Sequence, residues 1–376
     1  MTLLFWICLG LILYVYAGYP LLLASGILGH RKPICQGEEL PSVSVLVPAH
    51  NEEKVIRSKI ENLLQLRYPK DKVEILVGSD GSTDQTDAIV RSFKNPAVQL
   101  TRSEKRCGKS VIQNQLVSHS TGTVLVFTDA DCFLPPEALR VLLRNFADPE
   151  VGLVTNCAAI LNEDESGVVE NEGFYWKYER WLRCQESSRG LLAMASGSFF
   201  AMRRSLWTAL DANVGDDFVL PLRVAKAGYR NVLERATSAR TRIDQNQPQS
   251  MLRMKMRIIS KDLRGLLKNA ACLNPFQTGA VAVSLWSHKL LRWAVPYFLI
   301  GLFLSSCALS SHAGYRALAV AQGGFYLLAL AGLLRGGRFR FPWSVPLSFC
   351  LVNFAALLGT LHCLSQRTIG TWETVR

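Results

Sequence analysis

The sequence predicts an α/β domain with a mostly parallel sheet, set between membrane-spanning helices. Three observations carry this. Short apolar strands alternate with helical segments from residue 43 onward. The polar residues best suited to chemistry, Asn51, Asp80, Asp129 and Asp131, each follow a strand end. Long uncharged runs occupy both ends of the 376-residue chain, and mean hydropathy is +0.15. Alternating strands and helices imply parallel βαβ units, and ligands bind such sheets beyond the carboxyl ends of the strands.

The elements follow in order. Thr2 to Leu28 is uncharged and exceeds the roughly 20 residues that cross a bilayer. It lacks a basic leader and a clear small-residue cleavage site, so a retained anchor is expected rather than a removed signal. Arg31 and Lys32 then place the next domain in the cytoplasm by the positive-inside rule. Strands are expected over Val43–Val47, Val73–Val77, Val98–Leu100 and Thr123–Phe127, with helices over Glu52–Leu66, Thr86–Phe93 and Lys109–His119. From Met251 to Lys268, the basic residues Arg253, Arg257, Lys261, Arg264 and Lys268 fall on one helix face. A helix at an anionic membrane surface fits this pattern, because spanning segments follow; a solvated face of a domain helix is the competing reading. Three spans follow near Trp293–Leu309, Ala317–Leu334 and Trp343–Leu364, and the basic loop Arg335–Arg340 orients them. Their parity leaves Gln366–Arg376 outside, unless one span is re-entrant and the tail packs on the cytoplasmic side. The expected boundaries are an N-terminal transmembrane helix at 1–30 and an α/β domain at 40–247. Interface helices at 248–288, transmembrane helices at 289–365 and a tail at 366–376 complete the chain.

Net charge is +12. The basic residues flank apolar segments, which favours anionic lipid over nucleic acid, and no nucleic-acid signature is present. The ten cysteines form no CxxC pair and no Cys/His cluster with zinc spacing. They read as reduced, buried thiols of a cytosol-facing protein.

Five segments carry chemistry. Thr128-Asp129-Ala130-Asp131 ends a strand, and two carboxylates at that spacing suit one hard cation such as Mg2+ or Mn2+. Alone, such a pair reads as a turn with hydrogen-bonding aspartates; its place after a buried strand favours a metal. Pro48-Ala49-His50-Asn51-Glu52 follows the first strand and either caps a helix or lines a nucleotide base and ribose. In Ser79-Asp80-Gly81-Ser82-Thr83-Asp84, Gly81 permits a tight turn, capping accounts for Ser82 and Asp84, and Asp80 is left to reach a base. Lys105-Arg106-Cys107-Gly108-Lys109 gathers cations around a glycine, as a diphosphate requires; a solvated basic loop fits equally. Gly215-Asp216-Asp217 enters an amphipathic helix, where one carboxylate can cap it and the other can take a proton from an acceptor hydroxyl.

This ordered set resembles the membrane-bound family 2 glycosyltransferases of the GT-A fold, over about residues 42 to 260. The motifs carrying the resemblance are Val43 to Glu52, Ser79 to Asp84, Asp129-Ala-Asp131 and Gly215-Asp-Asp217. The resemblance implies a Rossmann-like, mostly parallel GT-A domain and inverting, metal-dependent transfer of a hexosyl group from a nucleoside diphosphate sugar. UDP is the expected nucleotide. It implies nucleotide contacts from Pro48, Ala49, Asn51, Glu52, Asp80, Lys109 and Asp129, metal ligation by Asp131 with Asp129, and Asp217 as catalytic base. Gly197 and Ser198, with Asp216, would lie at the acceptor. The family's synthases carry a Gln-x-x-Arg-Trp motif after the base. Here Gln249-Ser-Met-Leu-Arg253-Met and Arg257 stand in its place, and the missing tryptophan weakens a polymerase reading. Arg253 or Arg257 would still touch diphosphate. The expected partners are a nucleotide-sugar donor, a lipid or lipid-linked acceptor and anionic lipids, at the cytoplasmic face of a bacterial inner membrane. Competing readings are a processive exopolysaccharide synthase and an inactive membrane scaffold that retains the fold.

Overall fold

In the first strand, Val43, Val45 and Val47 join one buried apolar cluster while Leu46 joins another. That division between two faces is why the strand is apolar without alternation: a parallel sheet is covered on both sides. The computed structural model describes residues 1–156, 159–161, 167–242, 248–335 and 344–365. Its strands are β1 (Val43–Ala49), β2 (Val73–Asp80), β3 (Val98–Ser103), β4 (Val124–Thr128), β5 (Cys132–Phe133), β6 (Val151–Asn156), β7 (Ala159–Leu161), β8 (Phe199–Arg203), β9 (Arg230–Glu234) and β10 (Arg240–Arg242).

Seven strands form one sheet in the order β3-β2-β1-β4-β8-β6-β9. The first four are parallel, as the alternation predicts. β8 runs antiparallel to both β4 and β6, with Thr128 opposite Phe199. Its start therefore lies at the carboxyl end of β4. A second sheet, β5-β10-β7, was not expected; its strands are two or three residues long, too short to show a period. One face of the main sheet is covered by Ile56, Ile60 and Leu63 of the helix Ile56–Leu64, and the other by Ile112 and Leu116 of Lys109–His119. Helix Ile56–Leu64 starts four residues later than expected, because residues 51 to 53 are drawn into contact with the β2 turn.

Among the described residues, four helices are long and apolar enough to cross a membrane: Thr2–Ser25, Ala280–Ala308, Ala313–Leu334 and Ser344–Leu364. One N-terminal and three C-terminal spans were expected. The first C-terminal one, however, begins well before Trp293. His288 and Arg292 fall inside it because acidic partners on the helix Gly167–Ser188 satisfy them. His288 Nδ1 lies 2.7 Å from Glu186 Oε1, Arg292 Nη1 donates to Glu179 Oε2 at 2.9 Å, and Tyr19 OH donates to Glu186 Oε1 at 2.7 Å.

The amphipathic helix expected over Met251–Lys268 spans Pro248–Lys268. The helix Ser344–Leu364 lies along it. Met251 clusters with Leu347 and Leu351, and a Cβ at Gly359 would come within 2.9 Å of the Met256 carbonyl. On the basic face of Pro248–Lys268, Lys268 Nζ pairs with Asp211 at 2.8 Å. The nine cysteines among the described residues are free, and Cys35 and Cys307 are exposed, so uniform burial was too simple an expectation. The tail, the loop after Arg335 and Gln245 to Gln247 lie outside the described residues.

Candidate functional site

The carboxyl ends of β1, β2 and β4 converge on one edge of the sheet. After β1, Asn51 takes a positive φ of 53°. Its main-chain N–H donates to Ser82 Oγ at 3.1 Å, and its Oδ1 accepts from the Thr83 N–H at 2.9 Å. The Glu52 N–H donates to Thr86 Oγ1 at 2.8 Å, and Glu52 is 1 % exposed. The motifs after β1 and β2 are thus latched to each other. Pro48 and Ala49, expected along a base, are buried at the end of β1. Asn51 stays exposed at the rim.

Asp80, expected at a base, is tied to the basic loop. It is 0 % exposed, and its carboxylate accepts from the Cys107 N–H at 2.6 Å and the Gly108 N–H at 2.9 Å. Here it anchors the basic loop. Gly81 makes the approach feasible: its φ is 61°, and a Cβ there would sit 2.9 Å from the Arg106 nitrogen. With the loop pinned at Gly108, helix Lys109–His119 starts at the site edge.

Lys109 joins the two acidic motifs. Its Nζ lies 2.9 Å from Asp129 Oδ1 and 3.3 Å from Asp216 Oδ2. Burial opposes its charge, yet Asp129 and Asp216 hold its pKa above the ordinary lysine value. Asp216 also accepts from Gln113 Nε2 at 2.6 Å and is 6 % exposed. It is committed to protein partners, so the structure does not leave it open to an acceptor. Gly197 and Ser198, expected at the acceptor, fall between Asp129 and Asp217. The Asp129 N–H donates to the Ser198 carbonyl at 3.4 Å, and a Cβ at Gly197 would come 3.0 Å from Asp217 Oδ2.

Asp217 is part-buried in the first turn of helix Asp216–Lys226. Burial, followed by the charge of Asp216, pushes its pKa up to about 6, against the pull of Lys109. A carboxyl poised there can take a proton near neutrality. Gly215 stands at the closest approach of another acid: a Cβ there would lie 2.7 Å from Asp262 Oδ1 and 3.2 Å from Asp217 Oδ1. Asp262 comes from helix Pro248–Lys268 and is 7 % exposed. Burial, then Asp217, raise its pKa well above the usual carboxylate range. Sequence reading missed it, because the motif pattern ends before that helix. On the same helix, burial and then the charge of Arg257 lower the pKa of Lys261, against Asp216 and Asp217, which raise it. Of the two arginines expected at a diphosphate, Arg253 is exposed and Arg257, one turn further along the helix, is part-exposed.

At the end of β4, Ala130 is buried while Asp129 and Asp131 are part-exposed on either side of it. Two accessible oxygen-donor groups on one turn fit a hard divalent cation that takes its remaining ligands from phosphate and water. Among the described residues no group of three His, Cys, Asp or Glu forms a cage by itself. Beneath the turn lies Lys59, which the sequence reading did not single out. Burial lowers its pKa, against the carboxylates of Asp129 and Asp131.

The chain is similar to known proteins in sequence and in fold. Residues 44–210 match the family model described as glycosyl transferase family 2. The chain is 32 % identical over 213 residues to a probable glycosyltransferase of Bacillus subtilis, covering 51 % of this chain and 48 % of that protein. It is 28 % identical over 194 residues to the beta-monoglucosyldiacylglycerol synthase of Synechocystis, covering 49 % of this chain and 40 % of that enzyme. The chain therefore spans about half the length of these relatives or less. A mannosyltransferase from Pyrobaculum calidifontis, solved with GDP-Man and Mn2+, superposes with a TM-score of 0.72 at 22 % identity, over 97 % of this chain and all of that one.

Proposed function

We propose that this protein transfers one hexosyl group, with inversion, from a UDP-sugar to a hydroxyl of a lipid or lipid-linked acceptor at the cytoplasmic face of a bacterial inner membrane. The observation that carries the reading is the continuity of Asp129, Lys109, Asp216 and Asp217 along one sheet edge. Phe218, the residue after the proposed base, belongs to an apolar cluster with Leu266, Trp293 and Cys363. The base is thus one residue from the helices that meet the membrane.

On this reading Asp131, with Asp129, would hold Mg2+ or Mn2+. A divalent cation supplies charge neutralisation for a departing diphosphate. Lys109 and Arg257 add positive charge beside that group. Asp217 takes the proton of the attacking hydroxyl, and Gly197 leaves its carboxylate the space to do so. Asp216 is held by Gln113 and Lys109 and keeps the helix start fixed.

The glucosyldiacylglycerol synthases among the relatives favour a lipid acceptor. A second reading, a processive polysaccharide synthase, is favoured by a poly-beta-1,6-N-acetyl-D-glucosamine synthase of Staphylococcus aureus, 30 % identical over 214 residues. Product length separates them. Purified protein is incubated with UDP-sugars, with GDP-mannose in parallel, plus lipid acceptors and Mn2+. A glycolipid bearing one added sugar is expected. Long polymer formed without lipid acceptor would overturn single transfer. Absence of both transfer and nucleotide binding would leave an inactive scaffold.

A further inference from the structure

Among the described lysines only Lys59 is buried, and its exposure is 0 %. It lies on helix Ile56–Leu64, whose other buried positions, Ile56, Ile60 and Leu63, are apolar core. An amine among such neighbours is strongly unfavourable unless its hydrogens find acceptors. They do: Nζ donates to Thr128 Oγ1 at 2.8 Å and to the carbonyl of Cys132. Thr128 immediately precedes Asp129, and Cys132 immediately follows Asp131. One amine therefore closes the turn that carries both proposed metal ligands, from its core side. The turn's outer side is where the two carboxylates are part-exposed.

Two carboxylates serve one small cation only if their oxygens converge within a narrow range of distances. Groups behind the ligands commonly fix that convergence. Within the turn itself, the Cys132 N–H donates to the Asp129 carbonyl at 3.3 Å, a long bond that leaves it open to adjustment. The stronger tie from Lys59 joins its two shoulders.

We infer that Lys59 is a positioning residue for metal binding, holding Thr128 and the Cys132 carbonyl together so that Asp129 and Asp131 converge on one divalent cation. The inference rests on the reading of Asp129 and Asp131 as metal ligands.

The test uses full-length protein in detergent, with Mn2+ titrated by calorimetry in the presence of UDP, and of GDP in parallel. Wild type is compared with Lys59→Met and with Thr128→Val, which removes one acceptor at nearly unchanged shape. Lys59→Met is expected to weaken Mn2+ binding by about 10- to 100-fold, and Thr128→Val by less. In the transfer assay, excess Mn2+ is expected to restore kcat of both variants, a rescue that general loss of folding would not show. Mn2+ affinity within twofold of wild type in the folded variants overturns the inference. So does a rate deficit that saturating Mn2+ leaves in place. Should Lys59→Met fail to fold, Thr128→Val decides by the same criteria. Wild-type protein that binds neither nucleotide with Mn2+ overturns the metal reading itself, a result distinct from wild type binding and both variants binding equally well.

Discussion

Asp217 has its pKa raised to about 6 by burial and by Asp216, against Lys109. A base must be unprotonated to work, so kcat is expected to rise as pH passes through about 6 and to level off above it. A pH–rate profile at saturating donor and metal checks this. The stability linkage has the opposite sense. The folded-state carboxyl keeps its proton to higher pH than an unfolded aspartate, so its contribution to folding is present at low pH and is lost as pH rises through about 6. Asp217→Asn is expected to lower the transfer rate by about 10²- to 10⁴-fold while nucleotide binding is retained. Transfer at near-normal rate would refute the assignment of the base.

At the scale of elements, the turn after β4 and the pairing of two helices make separate predictions. Asp131→Asn removes a charged oxygen donor without changing side-chain shape, so Mn2+-dependent nucleotide binding should fall sharply, as read by calorimetry. At Gly359 helix Ser344–Leu364 packs tightly on helix Pro248–Lys268, with Ile259 Cβ 3.1 Å from where a Cβ would stand. Gly359→Leu should push the helices apart at a cost of about 1–3 kcal/mol, seen as a lower melting temperature in detergent. Because Asp262 and Lys261 lie on the same helix, a change in the pH profile should accompany it.

At the scale of the molecule, Glu186 ties the N-terminal span to the first C-terminal one. It accepts from Tyr19 OH at 2.7 Å and Ser284 Oγ at 2.9 Å, and lies 2.7 Å from His288 Nδ1. Glu186→Ala leaves these buried groups without their shared acceptor and is expected to cost about 3–5 kcal/mol, measured as loss of folded protein in detergent. The proposed orientation has its own test. An impermeant maleimide should reach the exposed Cys35 from the cytoplasmic side, and Ser311→Cys, in the turn between two spans, from the opposite side. Labelling of both from one side would refute the topology.

The residues themselves determined the parallel half of the sheet, the four apolar helices and the order of the acidic motifs. Each of these is a local pattern: an apolar run, a helical period, or a carboxylate one or two residues past a strand. Tertiary structure decided which polar groups face each other. Asp80 looks like a base contact in sequence, but two main-chain N–H groups turn toward it and take both its oxygens. Asp216 and Asp217 are neighbours with the same chemistry, and only the approach of Lys109, Gln113 and Gly197 separates a held carboxylate from a free one. Lys59 resembles any helix lysine until Thr128 and Cys132, about 70 residues away, are brought to its Nζ. Asp262 likewise reads as part of a charged amphipathic helix until Gly215 is packed against it. Side-chain period reports which face of an element is covered, whereas the pairing of charges across elements is set by sheet order and helix docking.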